Sequence, residues 1–126
     1  MALHHIGIAT SEIDTAARGA PIVEDRVWGI RSALRQVDDL QVEVVSPLDP
    51  GPQPCQAPAH EVINHVAFDY DDLEEGVREY LGLGWQVVQE PRPTALWGTR
   101  SAFLASPLAL PRAFLVEIVE SPRKAT

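Results

Sequence analysis

The chain has 126 residues and a formal net charge of −8 at pH 7. This length corresponds to one domain with a core of its own, and the negative charge argues against nucleic acid and anionic membranes as partners. The single cysteine, Cys55, excludes an internal disulfide and is typical of a reducing compartment, so we expect a cytoplasmic protein in which this thiol is incidental. We expect no signal peptide at MALHHIGIAT and no membrane span, because no apolar run is long enough.

The first half of the chain predicts a strand, a short helix, further strands and a linker. Residues 3–9 form a brief apolar run rich in β-branched side chains, which indicates a strand. The stretch SEIDTAARGAP predicts a weak helix that Gly19 and Pro21 cut short. Strands are then expected at WGIRSA and at LQVEVV. Residues 47–60 contain five prolines and no periodicity, which predicts a linker.

The last half of the chain repeats this order with a fuller helix. Residues 62–68 predict a strand, and DYDDLEEGVREYLGLG predicts a helix that is capped by Asp71 or Asp72 and ended by Gly82 and Gly84. A strand at WQVVQE, a proline-broken loop at EPRPTA, and strands at WGTRSAFLA and AFLVEIV follow.

Three blocks of similar sequence occur in the same order in both halves. The pattern Trp-Gly-x-Arg-Ser-Ala begins at Trp28 and again at Trp97, although the chain has only three tryptophans. His5-Ile6-Gly7-Ile8 is echoed from His65 onward, and VEVVSP is echoed by VEIVESP. We therefore predict an α+β fold of two tandem βαβββ modules that form a cupped mixed sheet, with a shortened helix in the first module. Module 1 spans about residues 1–47 and module 2 about residues 61–122 of a single domain.

Each predicted fourth strand carries one glutamate on an apolar face. Glu117 shares its strand face with Leu115 and Val119, and Glu43 lies in the same way beside Val45. One such glutamate alone is more often a residue of an edge strand that faces water. Two at equivalent positions favour carboxylates that are buried and either neutral, paired or bound to a metal.

The histidines give a parallel argument. His5 and His65 lie mid-strand at matching places, whereas His4 and His60 have no counterpart in the repeat and are interpreted as surface or linker residues. A lone histidine in such a strand is more often a hydrogen-bonded core residue than a ligand. Two imidazoles and two carboxylates, brought together by packing of the modules, suit a divalent ion such as Co, Mn, Ni, Zn or Fe.

This pattern resembles the vicinal oxygen chelate superfamily, which includes glyoxalase I, extradiol dioxygenases and bleomycin-resistance proteins. The most similar group is methylmalonyl-CoA epimerase, to which LHHIGIA, INHVAFDYDDLEEGV, VEVVSPL and FLVEIVE are similar. The resemblance implies a metal site with four ligands: His5, Glu43, His65 and Glu117. It also implies an acidic base on the strand before the second ligand, for which this chain has no clear counterpart: Gly29 lies near that position, and Glu24 and Asp25 are nearby but out of register.

The resemblance implies an isomerase or epimerase that stabilises an enolate of an acyl-CoA or keto-acid substrate. The metal would act as a Lewis acid, and Glu117 is the candidate general base, with Glu43 as a second catalytic carboxylate. A lyase or cyclase of the same fold would begin from the same enolate. The alternative to an enzyme is a metal-free protein of the same fold that binds a small molecule, such as a resistance protein. A ring-cleaving dioxygenase uses two histidines and one carboxylate, so the extra Glu43 argues against it.

The repeated motif has two interpretations. Arg31 or Arg100 could lie near the cleft and bind a carboxylate or phosphate of the substrate. Alternatively the motif is structural, with its tryptophan packed against the helix of the module and its glycine at a bend. We favour this structural interpretation for the tryptophan and the glycine, and leave both interpretations open for the arginine. For the assembly we expect a homodimer that binds a small-molecule substrate, possibly a CoA thioester.

Overall fold

The computed structural model describes residues 2–48, 62–107 and 115–122. Each half of the chain forms a strand, a helix and three further strands. The first half contains β1 (Ala2–Ala9), α1 (Ile13–Ala16), β2 (Ile22–Asp25), β3 (Ile30–Val37) and β4 (Leu40–Pro47). The second half contains β5 (Val62–Tyr70), α2 (Leu73–Gly82), β6 (Gln86–Pro93), β7 (Arg100–Ala105) and β8 (Leu115–Glu120).

The eight strands form one curled mixed sheet in the order β2-β3-β4-β1-β5-β8-β7-β6. Within each half the first strand is parallel to the fourth, and the two halves join through the antiparallel pair β1 and β5. This arrangement confirms the predicted α+β fold with a βαβββ order repeated twice. It also places the first and fourth strands of both halves side by side at the centre of the sheet.

Both helices lie on one face of the sheet. Helix α2 buries Leu73 against a cluster of side chains from β7 and β8, and α1 buries Ile13 and Ala16 against Val44 of β4. Full burial of a leucine or isoleucine side chain, such as Leu73 or Ile13, stabilises a fold by about 1.5–3 kcal/mol. The cluster beneath α2 consists of Leu73, Leu104, Val116 and Ile118. The opposite face of the central strands is therefore free to form a site.

The ends of α2 follow the predicted signals. The Asp72 carboxylate accepts a hydrogen bond from the backbone N–H of Glu75 at 3.0 Å, which caps the first turn. Gly84 has a φ of +91°, a conformation that suits glycine after a helix. Helix α1 has only four residues, in agreement with the shortened helix that the sequence predicted.

Three predicted strand boundaries were wrong. Strand β3 begins at Ile30, since Trp28 and Gly29 belong to the turn before it. Strand β6 continues through the expected loop to Pro93, because an edge strand that pairs only with β7 can include prolines. Strand β7 begins at Arg100, since Trp97, Gly98 and Thr99 belong to the turn that precedes it.

The predicted linker lies almost wholly outside the described residues, as do Cys55 and His60. The division into modules at about residues 47 and 61 stays a prediction. In the part of the chain that the structure describes, no helix is long and apolar enough to cross a membrane.

Candidate metal centre

The central strands bring two histidines and two glutamates to one point. Glu43 on β4 and His65 on β5 lie on either side of Gly7 on β1. Across the next strand pairs, Ala67 lies opposite both His5 and Glu117. Because directly paired residues point to the same face of a sheet, all four polar side chains project from the face opposite the helices.

The four side chains are buried and their ligand atoms lie within 4.8 Å of one another. Nε2 of His5 lies 3.2 Å from Oε1 of Glu43 and 3.0 Å from Oε1 of Glu117. Nε2 of His65 lies 3.4 Å and 3.1 Å from the same two oxygens. The two Nε2 atoms are 3.0 Å apart. Both imidazoles and both carboxylates therefore face one common centre.

The buried imidazoles and carboxylates shift one another's pKa values in the metal-free state. Burial alone would lower the pKa of His5, but Glu117 and Glu43 outweigh it and raise the pKa from 6.5 to about 9. Burial would also lower the pKa of His65, but Glu117 and Glu43 outweigh it and raise this pKa. The two histidines in turn hold the pKa values of Glu43 and Glu117 below the ordinary range, although burial acts in the opposite direction.

One oxygen of this cluster lacks a hydrogen-bond partner. Oε1 of Glu117 is buried and, within the described residues, no donor approaches it in hydrogen-bonding geometry, even though both Nε2 atoms are close. An unsatisfied buried carboxylate oxygen costs free energy, about 1–3 kcal/mol or more for a charged group. A cation at the centre would satisfy this oxygen.

The distances fit a divalent metal ion. Imidazole nitrogens and carboxylate oxygens bind such ions at about 2.0–2.2 Å, which places neighbouring ligand atoms about 3 Å apart. The observed separations between Nε2 and Oε1 atoms, 3.0 to 3.4 Å, agree with this spacing. Two imidazoles and two carboxylates are a donor set for Zn, Mn, Fe, Co or Ni.

The outer ring nitrogens of both histidines have partners. Nδ1 of His65 lies 2.7 Å from Oδ1 of Asn64 and donates to it, which directs the Nε2 lone pair toward the centre when the ring is neutral. Nδ1 of His5 lies 2.7 Å from Nδ1 of His4. Burial and the neighbouring His5 lower the pKa of His4, which keeps His4 neutral and able to accept. The interpretation of His4 as a surface residue was wrong, because it is half-buried and orients a candidate ligand.

Gly7 provides the space that His65 occupies. A Cβ atom at Gly7 would collide with Cε1, Nδ1 and Nε2 of the imidazole ring. The repeat-equivalent position, Ala67, carries a methyl group and is fully buried without such a conflict. The glycine in LHHIGIA is therefore a steric requirement of the site.

A small cleft opens beside the four side chains. Its walls are largely aromatic and aliphatic, with a few acidic and hydroxyl groups. The lining residues are Asp25, Trp28, Ile30, Ser32, Glu43, Val45, His65, Thr94, Leu96, Trp97, Phe103 and Glu117.

The tryptophans of the repeated motif line this cleft and cross between the modules. Trp28 of module 1 packs against Phe103 and Leu115, and its Nε1 donates to the carbonyl oxygen of Pro93 at 2.8 Å. Trp97 of module 2 stacks on the ring of His5. The expectation that these tryptophans pack against the helices was wrong. The expected bend at the glycines is confirmed, since Gly29 and Gly98 have φ values of +68° and +73°.

A family model described as the Glyoxalase/Bleomycin resistance protein/Dioxygenase superfamily matches residues 4–103. The chain belongs to this superfamily. The match confirms the resemblance that the sequence blocks indicated. Comparison with curated proteins by sequence found no match.

Three solved structures that are similar to this chain have a comparable length. Methylmalonyl-CoA epimerase from Mycobacterium tuberculosis is 23% identical, with 97% of this chain and 89% of that chain covered and a TM-score of 0.69. A variant of the Streptomyces coelicolor methylmalonyl-CoA epimerase in complex with 2-nitronate-propionyl-CoA is 21% identical, with 98% and 99% covered and a TM-score of 0.73. A hypothetical protein from Bacillus halodurans is 24% identical, with 98% and 96% covered and a TM-score of 0.65. At these identities the likeness shows the fold.

One acidic residue of the cleft was not predicted as part of this superfamily site. Asp25 is buried and its Oδ1 accepts hydrogen bonds from the backbone of Val27 and Trp28, while Oδ2 accepts from Ala95 of module 2 at 2.8 Å. Asp25 therefore fixes the turn before β3 and ties it to the other module. Its position three residues before Trp28, matched by Thr94 before Trp97, is the sequence signal that would have found it.

The structure does not bring the two predicted substrate-binding arginines to the four-residue cluster. Arg31 lies 3.4 Å from Asp14 of the α1 segment. Arg100 pairs with Glu74 of α2 and Glu120 of β8, each at 2.8 Å. Both guanidinium groups therefore bind carboxylates on the helix-covered face of the sheet, away from the cleft.

Proposed function

We propose that this protein is a divalent-metal-dependent enzyme that moves a proton at a carbon atom beside a carbonyl group, as an epimerase or other isomerase does. His5, Glu43, His65 and Glu117 are the proposed ligands. The observation that carries the proposal is the convergence of these four buried side chains from two repeated modules, with one carboxylate oxygen left without a hydrogen-bond partner.

The side chains around the centre have distinct proposed roles. A bound divalent ion would supply Lewis acidity that polarises substrate oxygens. Asn64 and His4 hold the two imidazole rings in orientation through their Nδ1 atoms. The aromatic walls of the cleft exclude water, which strengthens electrostatic interactions at the reacting carbon.

Glu117 is the proposed general base. Its Oε1 has a lone pair that no described donor occupies, and its side chain lines the cleft. Burial raises the pKa of Glu117, but its interactions with the two histidines outweigh burial and lower this pKa in the metal-free state. A bound cation would itself lower the pKa of this carboxylate, so Glu117 would have to leave the metal before it accepts the proton. A positioned base of this kind accelerates proton transfer about 10²–10⁴-fold.

The resemblance favours an acyl-CoA thioester or a keto acid as substrate, and a solved neighbour in complex with methylmalonyl-CoA supports this class. Return of the proton to the opposite face of the carbon would give an epimerase. Expulsion of a leaving group or ring closure from the same deprotonated substrate would give a lyase or cyclase.

Two measurements test the proposal. Elemental analysis of the purified protein should find a divalent metal near one equivalent, and metal-dependent deuterium exchange should occur at the α-carbon of an acyl-CoA or keto acid. His65→Gln should lose both the metal and the exchange. Asp39→Asn, at an exposed carboxylate in the β3–β4 turn, is the matched control and should retain both.

The outcomes separate the alternatives. A protein that binds no divalent metal in a titration, yet binds small molecules, would be a binding protein of the superfamily, for which the aromatic cleft is the supporting observation. Metal without exchange would instead favour a lyase with another first step or oxygenase chemistry.

We further propose a homodimer, which the exposed apolar side chains Leu3 and Ile63 of the central strands favour. A monomeric mass in sedimentation at micromolar concentration would contradict it.

A further inference from the structure

The four candidate ligands are almost inaccessible from outside the protein. His5 and His65 are fully buried, and at most 5% of Glu43 or Glu117 is exposed. Trp97 covers His5, since its indole is stacked on the imidazole with ring centroids 4.6 Å apart. A molecule from solution can therefore reach all four side chains only if part of this cover moves.

Residues 94–99, the turn between β6 and β7, form a compact flap over the cleft. Thr94 and Trp97 of this flap line the cleft. The backbone N–H and the hydroxyl of Thr94 both donate to the carbonyl oxygen of Thr99, at 2.9 and 2.8 Å. The N–H of Gly98 donates to the carbonyl oxygen of Thr94 at 3.1 Å. These bonds close the flap on itself, so it can move as one body about hinges at its two ends.

One carboxylate of module 1 holds the flap in place. Oδ2 of the buried Asp25 accepts a hydrogen bond from the backbone N–H of Ala95 at 2.8 Å. Its Oδ1 accepts from the backbone N–H groups of Val27 and Trp28, both at 3.1 Å. Hydrogen bonds to an ionised carboxylate are stronger than those between neutral groups. Asp25 therefore connects the turn before β3 to the flap, across the open side of the cup.

Two further bonds cross the open side of the cup at the base of the flap. Nε1 of Trp28 donates to the carbonyl oxygen of Pro93 at 2.8 Å, and Nη1 of Arg92 donates to the carbonyl oxygen of Val27 at 3.2 Å. Strands β2 and β6 are at opposite ends of the strand order, so side chains rather than strand pairing make this contact. These bonds fix the end of β6, whereas Asp25 fixes the flap itself.

We propose that the flap opens and closes over His5, and that Asp25 is the latch that holds it shut. Opening breaks the hydrogen bond between Asp25 and Ala95 and the stacking of Trp97 on His5, while the bonds within the flap and at its base persist. The indole thus covers the imidazole only when the latch is engaged. The motion needs neither a metal nor a substrate, so it goes beyond the proposed function.

Amide hydrogen exchange, measured by NMR on the full chain with chelator present, tests whether the flap opens as one body. In the unaltered protein we expect the protection factor of Ala95 to be at least about fivefold lower than that of Thr94, because opening breaks only the bond of Ala95. Equal protection of the two amides would mean that the flap opens only by unfolding, which would overturn the proposal. No variant has to fold for this measurement.

Asp25→Asn separates the latch from the turn that the same side chain caps. The amide oxygen can still accept from Val27 and Trp28, whereas the amide NH₂ group cannot accept from Ala95. We expect the population of the open flap to rise at least about tenfold, which corresponds to the loss of one hydrogen bond to a charged group.

Labelling with 5-fluorotryptophan provides the readout, since each of the three tryptophans gives one ¹⁹F NMR signal. In Asp25→Asn the signal of Trp97 should move toward that of a solvent-exposed indole, while the signal of Trp85, on the helix-covered face, should not move. Asp72→Asn is the matched control, because Asp72 also accepts a backbone N–H, but within its own module. A Trp97 signal that stays in place in Asp25→Asn, or that moves equally in Asp72→Asn, would contradict the latch.

Removal of Mn²⁺ by a chelator relates the flap to the proposed function. If Mn²⁺ binds at the four side chains, Asp25→Asn should raise its rate of removal about tenfold, in proportion to the population of the open flap. An unchanged rate would contradict the role of the flap as the cover of the site. If the protein binds no Mn²⁺, the proposed function fails, and the hydrogen exchange and ¹⁹F signals still decide whether the flap and its latch exist.

Discussion

The indole ring of Trp97 lies on the imidazole ring of His5, with centroids 4.6 Å apart and an angle of 21° between the planes. Trp97 belongs to module 2, whereas His5 belongs to the first strand of module 1. The contact fixes the imidazole from one side, while His4 holds its Nδ1 atom. One module thus orients a candidate ligand that the other module supplies.

Replacement of Trp97 should therefore weaken metal binding, although the side chain offers no ligand atom. We expect Trp97→Leu to raise the dissociation constant for Mn²⁺ or Zn²⁺ roughly 10- to 100-fold, the range typical of residues that orient a ligand. Trp97→Phe, which keeps an aromatic face, should recover most of the affinity. Equal losses in the two variants, measured by competition with a chelator dye, would contradict the positioning role.

Gly7→Ala should displace the imidazole of His65, because the added Cβ collides with the ring. We expect a loss of about 1–3 kcal/mol in the free energy of unfolding, as for other overpacked sites, together with a loss of metal affinity. The matched control is Ala67→Gly on the neighbouring strand, which should cost about 0.5–1 kcal/mol and keep the metal. Urea unfolding and metal titration of both variants give the comparison.

The two glutamates should differ in their effect on catalysis. Glu117→Gln removes the proposed base, so we expect deuterium exchange to fall about 10²–10⁴-fold even at saturating metal. Glu43→Gln keeps the proposed base, so we expect exchange to persist in this variant at saturating metal. Rapid exchange in Glu117→Gln would assign the base to another residue.

The metal-free protein should lose stability as the pH rises from neutrality. The pKa of His5 is raised from 6.5 to about 9 in the folded state, so its stabilising contribution is complete below about pH 6.5 and disappears through about pH 9. The carboxylates have lowered pKa values, and their contribution is lost instead as the pH falls below about 4.5. Thermal unfolding in chelator should show a melting temperature that decreases between pH 6.5 and 9.

Bound metal should flatten this dependence, because the ligand imidazoles are then neutral throughout that range. The same scan with saturating Mn²⁺ is the control. A metal-free melting temperature that stays constant or rises between pH 6.5 and 9 would contradict the protonated histidine pair.

The arginine pairs on the helix-covered face should affect stability alone. Arg100 is partly exposed, so the loss of its ion pairs with Glu74 and Glu120 in Arg100→Gln should cost only about 1 kcal/mol. Arg31→Gln, which breaks a more exposed contact with Asp14, should cost less. Neither change should alter ligand affinity or exchange. A selective loss of ligand binding in either variant would restore the substrate role considered from the sequence.

The repeat and strand alternation were enough to predict the architecture and the side chains that come together. A duplicated block fixes which elements correspond, and alternation fixes which side chains share a face. Along the predicted strand WGTRSAFLA, alternation places Trp97, Ser101 and Phe103 on one face and Arg100 and Leu104 on the other. The structure has the same grouping, since Phe103 and Trp97 line the cleft and Leu104 packs under α2.

Only the tertiary structure decided which of those two sides faces the helix. Alternation along a strand is a local property, whereas the covered side depends on how each helix crosses back over the sheet. For the same reason the sequence did not reveal that Trp28 packs on Phe103 or that the Asp25 carboxylate binds the backbone of Ala95. Those contacts join residues about 70 positions apart, and they depend on the pairing of β1 with β5, which joins the two halves in one curled sheet.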